Sequence, residues 1–131
     1  MARISRFRVS PADAQVEIRD DADVDRPRWE SGKEQVLYSP QYVVLATRDD
    51  IEGPVEFEVR VGGDGADQAV GCLLFDGELF TTGRGILVGS SLTELHRIAL
   101  PIGCHPMRIY ADRPTEPARF IVLFDGPHAD A

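Results

Sequence analysis

Val55-Glu56-Phe57-Glu58-Val59-Arg60-Val61 is the stretch that decides the fold. Four apolar side chains alternate with three charged ones, the period of a strand with one face in a core and the other in water. Outward from it, further apolar runs lie at 4–9, 15–19, 42–47, 70–75, 78–81, 86–89, 95–100, 107–111 and 119–124, punctuated by 12 Gly and 9 Pro. No segment shows a sustained helical stripe, and the best candidate for one helical turn surrounds Trp29. Short strands and frequent turn signals in this length predict an all-β, single-domain antiparallel β-sandwich of roughly eight to ten short strands across residues 1–131.

The turns follow from local chemistry. Asp76-Gly77, between Leu73-Leu74-Phe75 and Glu78-Leu79-Phe80, reads as a two-residue hairpin turn, because Asp-Gly readily takes positive φ angles. Gly62-Gly63-Asp64-Gly65 reads as a longer loop and Pro101-Ile102-Gly103 as a tight turn. Cys72 and Cys104, the only cysteines, read as free thiols acting as small core residues. Two strands, 42–46 and 120–124, are apolar on both faces, so their outer faces need cover. Either residues 1–35 pack over a sheet face or a second copy does, in which case Ile121 and Leu123 lie in a homodimer interface. Residues 125–131 read as a frayed tail.

The net charge of −8 is concentrated. Segments 1–48 and 79–131 each sum to zero, whereas 49–78 carries nine carboxylates against Arg60 alone. The expected partner-binding face is therefore acidic: Asp49, Asp50, Glu52, Glu56, Glu58, Asp64 and Asp67, all facing water. Such a surface disfavours nucleic acid and anionic membranes, and leaves a basic protein, a cation or a merely solvated face. No apolar run approaches the ~20 residues of a membrane helix. The N-terminal Met1-Ala2-Arg3-Ile4-Ser5-Arg6 has no apolar stretch behind it, so a cytoplasmic location is expected.

Catalytic and metal constellations are weak. His96, His105 and His128 form no ligand pair, and adjacent Cys104 and His105 would point to opposite faces of a strand. Ser90 and Ser91 lack a nucleophile elbow, and Gly83-Arg84-Gly85 lacks a phosphate-loop lysine. Asp20, Asp21, Asp23 and Asp25 resemble a calcium loop in spacing, without its central glycine or closing glutamate. Trp29, Tyr38, Tyr42 and Tyr110 are available for stacking on a sugar, but a core needs most of the aromatics. A protein without enzymatic activity, metal or cofactor is expected.

Thr82-Gly83-Arg84-Gly85-Ile86-Leu87-Val88, then Ser90, Ile98-Ala99-Leu100-Pro101-Ile102-Gly103 and Met107-Arg108-Ile109-Tyr110 carry a pattern of glycine turn, strand, Leu-Pro-x-Gly turn and strand. In this the chain resembles the competence protein J family, inhibitors of a DNA-entry nuclease, and their bacterial relatives. Phe7-Arg8-Val9, Trp29 and residues 42–47 fall in the same order upstream, while His105 stands where an aromatic residue is usual. The resemblance implies a non-catalytic nuclease inhibitor or immunity-type protein. An acidic surface would suit the basic cleft in which a nuclease holds phosphates. The alternative is an oligomeric β-sandwich with a structural or small-ligand-binding role.

Overall fold

Alternation along the strands builds two five-stranded sheets in the computed structural model, which describes residues 3–22, 26–28, 34–62, 71–83, 85–90 and 93–124. The first sheet runs β1 (Arg3–Val9), β5 (Val55–Val61), β10 (Arg119–Phe124), β9 (Gly103–Ala111) and β6 (Cys72–Thr81). The second runs β3 (Val36–Ser39), β4 (Tyr42–Ala46), β2 (Gln15–Asp20), β7 (Ile86–Gly89) and β8 (Leu95–Ile98). Two sheets with a shared core make the expected all-β sandwich. Residues 3–9 and 15–20, within the stretch considered as a cover, are thus strands of the sheets themselves. One pairing departs from the antiparallel expectation: β5 and β10 are parallel, with Phe57 beside Phe120 and Val59 beside Val122. Antiparallel pairs can close through short hairpins, whereas these two strands lie far apart in the chain and meet only in the folded sheet.

The core lies between the sheets. Val55, Phe57, Val59 and Val61 of β5 enter it with Phe120, Val122 and Phe124 of β10, and Val16, Ile18, Val43 and Leu45 approach from the second sheet. Phe57 and Phe120 stack with centroids 5.1 Å apart. Each such side chain contributes about 1.5–3 kcal/mol on burial.

Two local expectations are corrected and one strand is added. Asp76-Gly77 is not a hairpin turn but the middle of β6, with Asp76 opposite Arg108 and Gly77 opposite Met107. The strand absorbs its irregularity as a register shift between Leu73 and Phe75. β3 is a strand that the apolar runs did not mark. Cys104 is exposed and Cys72 half-buried rather than core residues, and beside Cys104 it is His105 that turns inward, its Nε2 2.7 Å from the Pro101 carbonyl. Both cysteines are free. Trp29 and residues 125–131 lie outside the described residues; a short 3-10 turn occurs instead at Asp50–Glu52.

Outer faces explain the doubly apolar strands. On the second sheet Leu37, Tyr42 and Val44 form a small cluster of their own. Beside it buried Glu17 accepts from Arg19 Nε at 2.9 Å, and the Arg19 guanidinium sits 5.7 Å from the Tyr42 ring centre. Burial and neighbouring Glu17 push the Tyr42 hydroxyl above its ordinary pKa. On the first sheet Ile121 and Leu123 are only 5% and 4% exposed within the single chain. Register sets Glu58 and Tyr110 beside Ile121, and Arg60 and Arg108 beside Leu123. Long side chains of this kind lay apolar stems over such neighbours.

Candidate partner-binding surface

Strand directions bring several loops to one end of the sandwich. β1, β4, β7 and β9 all finish there, and β2, β5, β8 and β10 start there. Backbone bonds tie the loops together: Thr47 N donates to Ala14 O at 2.9 Å, Arg48 N to Pro117 O at 3.1 Å and Glu56 N to Ala118 O at 2.9 Å. Thr93 Oγ1 adds a bond to Ser10 O at 2.8 Å. The loops therefore form one surface rather than separate tips.

That surface is acidic. Asp49 and Glu52 come from the β4–β5 connection, Asp13 from β1–β2, and Asp112 and Glu116 from β9–β10. Arg48 and Arg113 are their basic neighbours in these loops, and both engage the backbone: Arg48 Nη2 donates to Pro54 O at 2.5 Å and Arg113 Nε to Glu116 O at 2.9 Å. Asp49 Oδ1 accepts from Ile51 N at 3.1 Å, fixing the start of the 3-10 turn. At the tip of that turn Ile51 is 90% exposed, with acidic residues on either side in sequence. Asp13, Asp112 and Glu116 were missed because they lie outside the acidic segment. Only the closing of the loops makes them its neighbours.

Glu56 and Glu58 stand elsewhere, and the expectation that both face water is corrected for Glu58. It is 5% exposed, accepting from Arg6 Nε at 3.0 Å and from Arg60 Nε. Burial alone would raise its pKa, but the hydrogen bonds and charges of Arg6 and Arg60 outweigh that and hold it below the usual carboxylate value. The cause lies in the register: β1 sets Arg6 beside Glu58 and Arg8 beside Glu56, while β10 sets Arg119 on the other side of Glu56. Glu56 remains exposed. Asp64 and Asp67 lie outside the described residues.

The residues considered for chemistry are scattered. Among the described residues no group of three or more His, Cys, Asp or Glu is placed to hold a metal. His96 stacks on Phe7 at 4.1 Å with its Nε2 3.4 Å from Glu94. Ser90 is buried, and Arg84 and Ser91 lie outside the described residues. Gly85 of the glycine turn has φ of 111°, and a Cβ there would sit 2.2 Å from Ile98 O. That position serves the close approach of two chain segments.

No protein-family model matches this chain. No curated protein sequence matches it either. Among solved structures it is similar to the crystal structure of ComJ, inhibitor of the DNA degrading activity of NucA, from Bacillus subtilis. The TM-score is 0.74 at 11% sequence identity, over 95% of this chain and 98% of that one. A likeness of that depth at that identity establishes a shared fold.

Proposed function

We propose that this chain is a non-catalytic binding protein of the nuclease-inhibitor type, which meets a basic enzyme through its acidic end. The observation that carries the reading is a fold shared over nearly the full length of both chains with an inhibitor of a DNA-degrading activity. The surface supports it. A nuclease needs positive potential to hold its substrate, and a rigid acidic end both fills such a cleft and steers encounter. Ile51 supplies what charge lacks, an apolar side chain already in water that a partner can bury at the centre of the contact.

The test uses a purified basic bacterial nuclease captured by this chain, with rates measured by stopped flow. Asp49→Asn, Glu52→Gln and Glu116→Gln together are expected to slow association roughly tenfold at low salt and to flatten its salt dependence. Ile51→Ser should instead accelerate dissociation, since loss of a central anchor acts mainly on that rate. Association that ignores salt and all three charge substitutions would remove the acidic end from the reading.

A further inference from the structure

We propose that the outer face of the first sheet carries a second binding site, a cleft for a peptide segment of a partner protein that presents a carboxylate followed by an apolar side chain. It does not rest on the inhibitor reading, because it uses the opposite charge, on the outer sheet face that adjoins the acidic end at Asp112 and Arg119. Two shallow cavities of about 230 and 220 Å³ open on this face and share Arg119 as a common wall. Arg6, Arg8 and Arg119 line the first with Glu56 and Glu58. The second is lined by Ala111, Ile121 and Gly71 beside Asp112.

The arginines are available. Buried Glu58 takes Arg6 through Nε, which leaves that guanidinium's two terminal nitrogens out of the Glu58 bond on a side chain 70% exposed. Among the described residues, neither the Arg8 nor the Arg119 guanidinium has a hydrogen-bond partner. Glu56 stands in register between them. Arg6, Arg8, Arg60 and Arg119 thus face two carboxylates, a local positive excess on a chain whose net charge is −8. One exposed carboxylate cannot saturate two guanidinium forks with their many donors.

The occupant follows from the walls. Planar guanidinium forks match a carboxylate in bidentate geometry. A polyanion such as nucleic acid is repelled by the acidic remainder of the chain. The second cavity separates a peptide from a bare anion, because beside Arg119 its wall is Ile121 and the bare Gly71 backbone, which suit an apolar side chain and offer phosphate nothing. Asp112 does not oppose this, since its Oδ1 already accepts from Ala118 N at 3.1 Å and Arg119 N at 3.3 Å.

The experiment titrates the isotope-labelled chain with the blocked peptide acetyl-Glu-Leu-Leu-amide, with acetyl-Gln-Leu-Leu-amide and with inorganic phosphate, at constant ionic strength. The glutamate peptide is expected to give saturable amide shifts in β1, β5 and β10. Arg8→Gln with Arg119→Gln should weaken it roughly tenfold, and Arg8→Lys with Arg119→Lys should recover only part, because the fork is lost while the charge stays. All four changes fall on exposed side chains, and an otherwise unchanged amide spectrum checks the fold. An equal response to the glutamine peptide or to phosphate overturns the proposal, as does binding indifferent to the arginine changes.

Discussion

Asp20 ends β2 with its carboxylate fully buried, and four donors converge on it. Thr82 Oγ1 lies at 2.7 Å, Thr82 N at 3.2 Å, Gln41 Nε2 at 3.0 Å and Asp21 N at 2.9 Å. Burial pushes its pKa up, but these bonds to the charged form outweigh that and leave it below the ordinary value. A folded pKa below the unfolded one stabilises above the unfolded value, and the stabilisation disappears as pH falls through the folded value. Asp20→Asn turns an amide NH2 toward these donors, and the expected cost at pH 7 is about 2 kcal/mol in urea unfolding. The gap between wild type and variant should shrink as pH drops below about 4, the unfolded aspartate value. A gap of the same size in strong acid would mean that the charge of Asp20 does not matter. In sequence Asp20 belongs to a run with the spacing of a calcium loop. Its side-chain partners, 21 and 62 residues away, leave no local mark.

β6 shows where element-scale reading from sequence stops. Period two placed most strands, because each buries one face and the alternation is written locally, while β4 and β10, buried on both faces, were marked by unbroken apolar runs. Asp76-Gly77 carries equally local turn chemistry, yet the ladder to β9 overrides it. Glycine is there for a neighbour: a Cβ at Gly77 would lie 2.7 Å from Phe75 Cζ, so the ring folds over the bare backbone of the edge strand. That ring packs against Tyr38 at 4.8 Å, and Tyr38 Oη donates to Glu78 O at 2.7 Å while Phe80 N donates to Pro40 O at 2.7 Å. The β3–β4 hairpin thereby occupies edge groups of β6 that would otherwise template pairing with another chain. Gly77→Val is expected to cost about 1–3 kcal/mol through overpacking. Adding Phe75→Leu to that variant should restore part of the loss, a non-additivity measurable by thermal unfolding of the four-member cycle. Strict additivity would show that the ring and Gly77 are not coupled.

Over the whole molecule, the position of a charge in the chain and its position on the surface part company. The segment 49–78 holds the full imbalance, but folding sends Asp49 and Glu52 to an acidic end and sets Glu56 and Glu58 among arginines from strands remote in sequence. The same registers bear on the two outward apolar residues of β10. A single chain already buries Ile121 and Leu123, so their burial requires no second copy. Their flanks differ in sign. Aspartate at 121 would join buried Glu58 beside Tyr110, whereas aspartate at 123 would stand between Arg60 and Arg108. A buried, unpaired carboxylate is among the most costly substitutions, and one beside a like charge is worse. Ile121→Asp is therefore expected to cost at least about 3 kcal/mol in urea unfolding. Leu123→Asp, with two guanidiniums at hand, should cost less by about 1–2 kcal/mol. An interface between two copies would behave differently: light scattering would show a dimer, and both variants would become folded monomers with little loss of stability. Equal losses at the two positions would mean that the flanking charges do not reach them, and that apolar burial alone sets the cost.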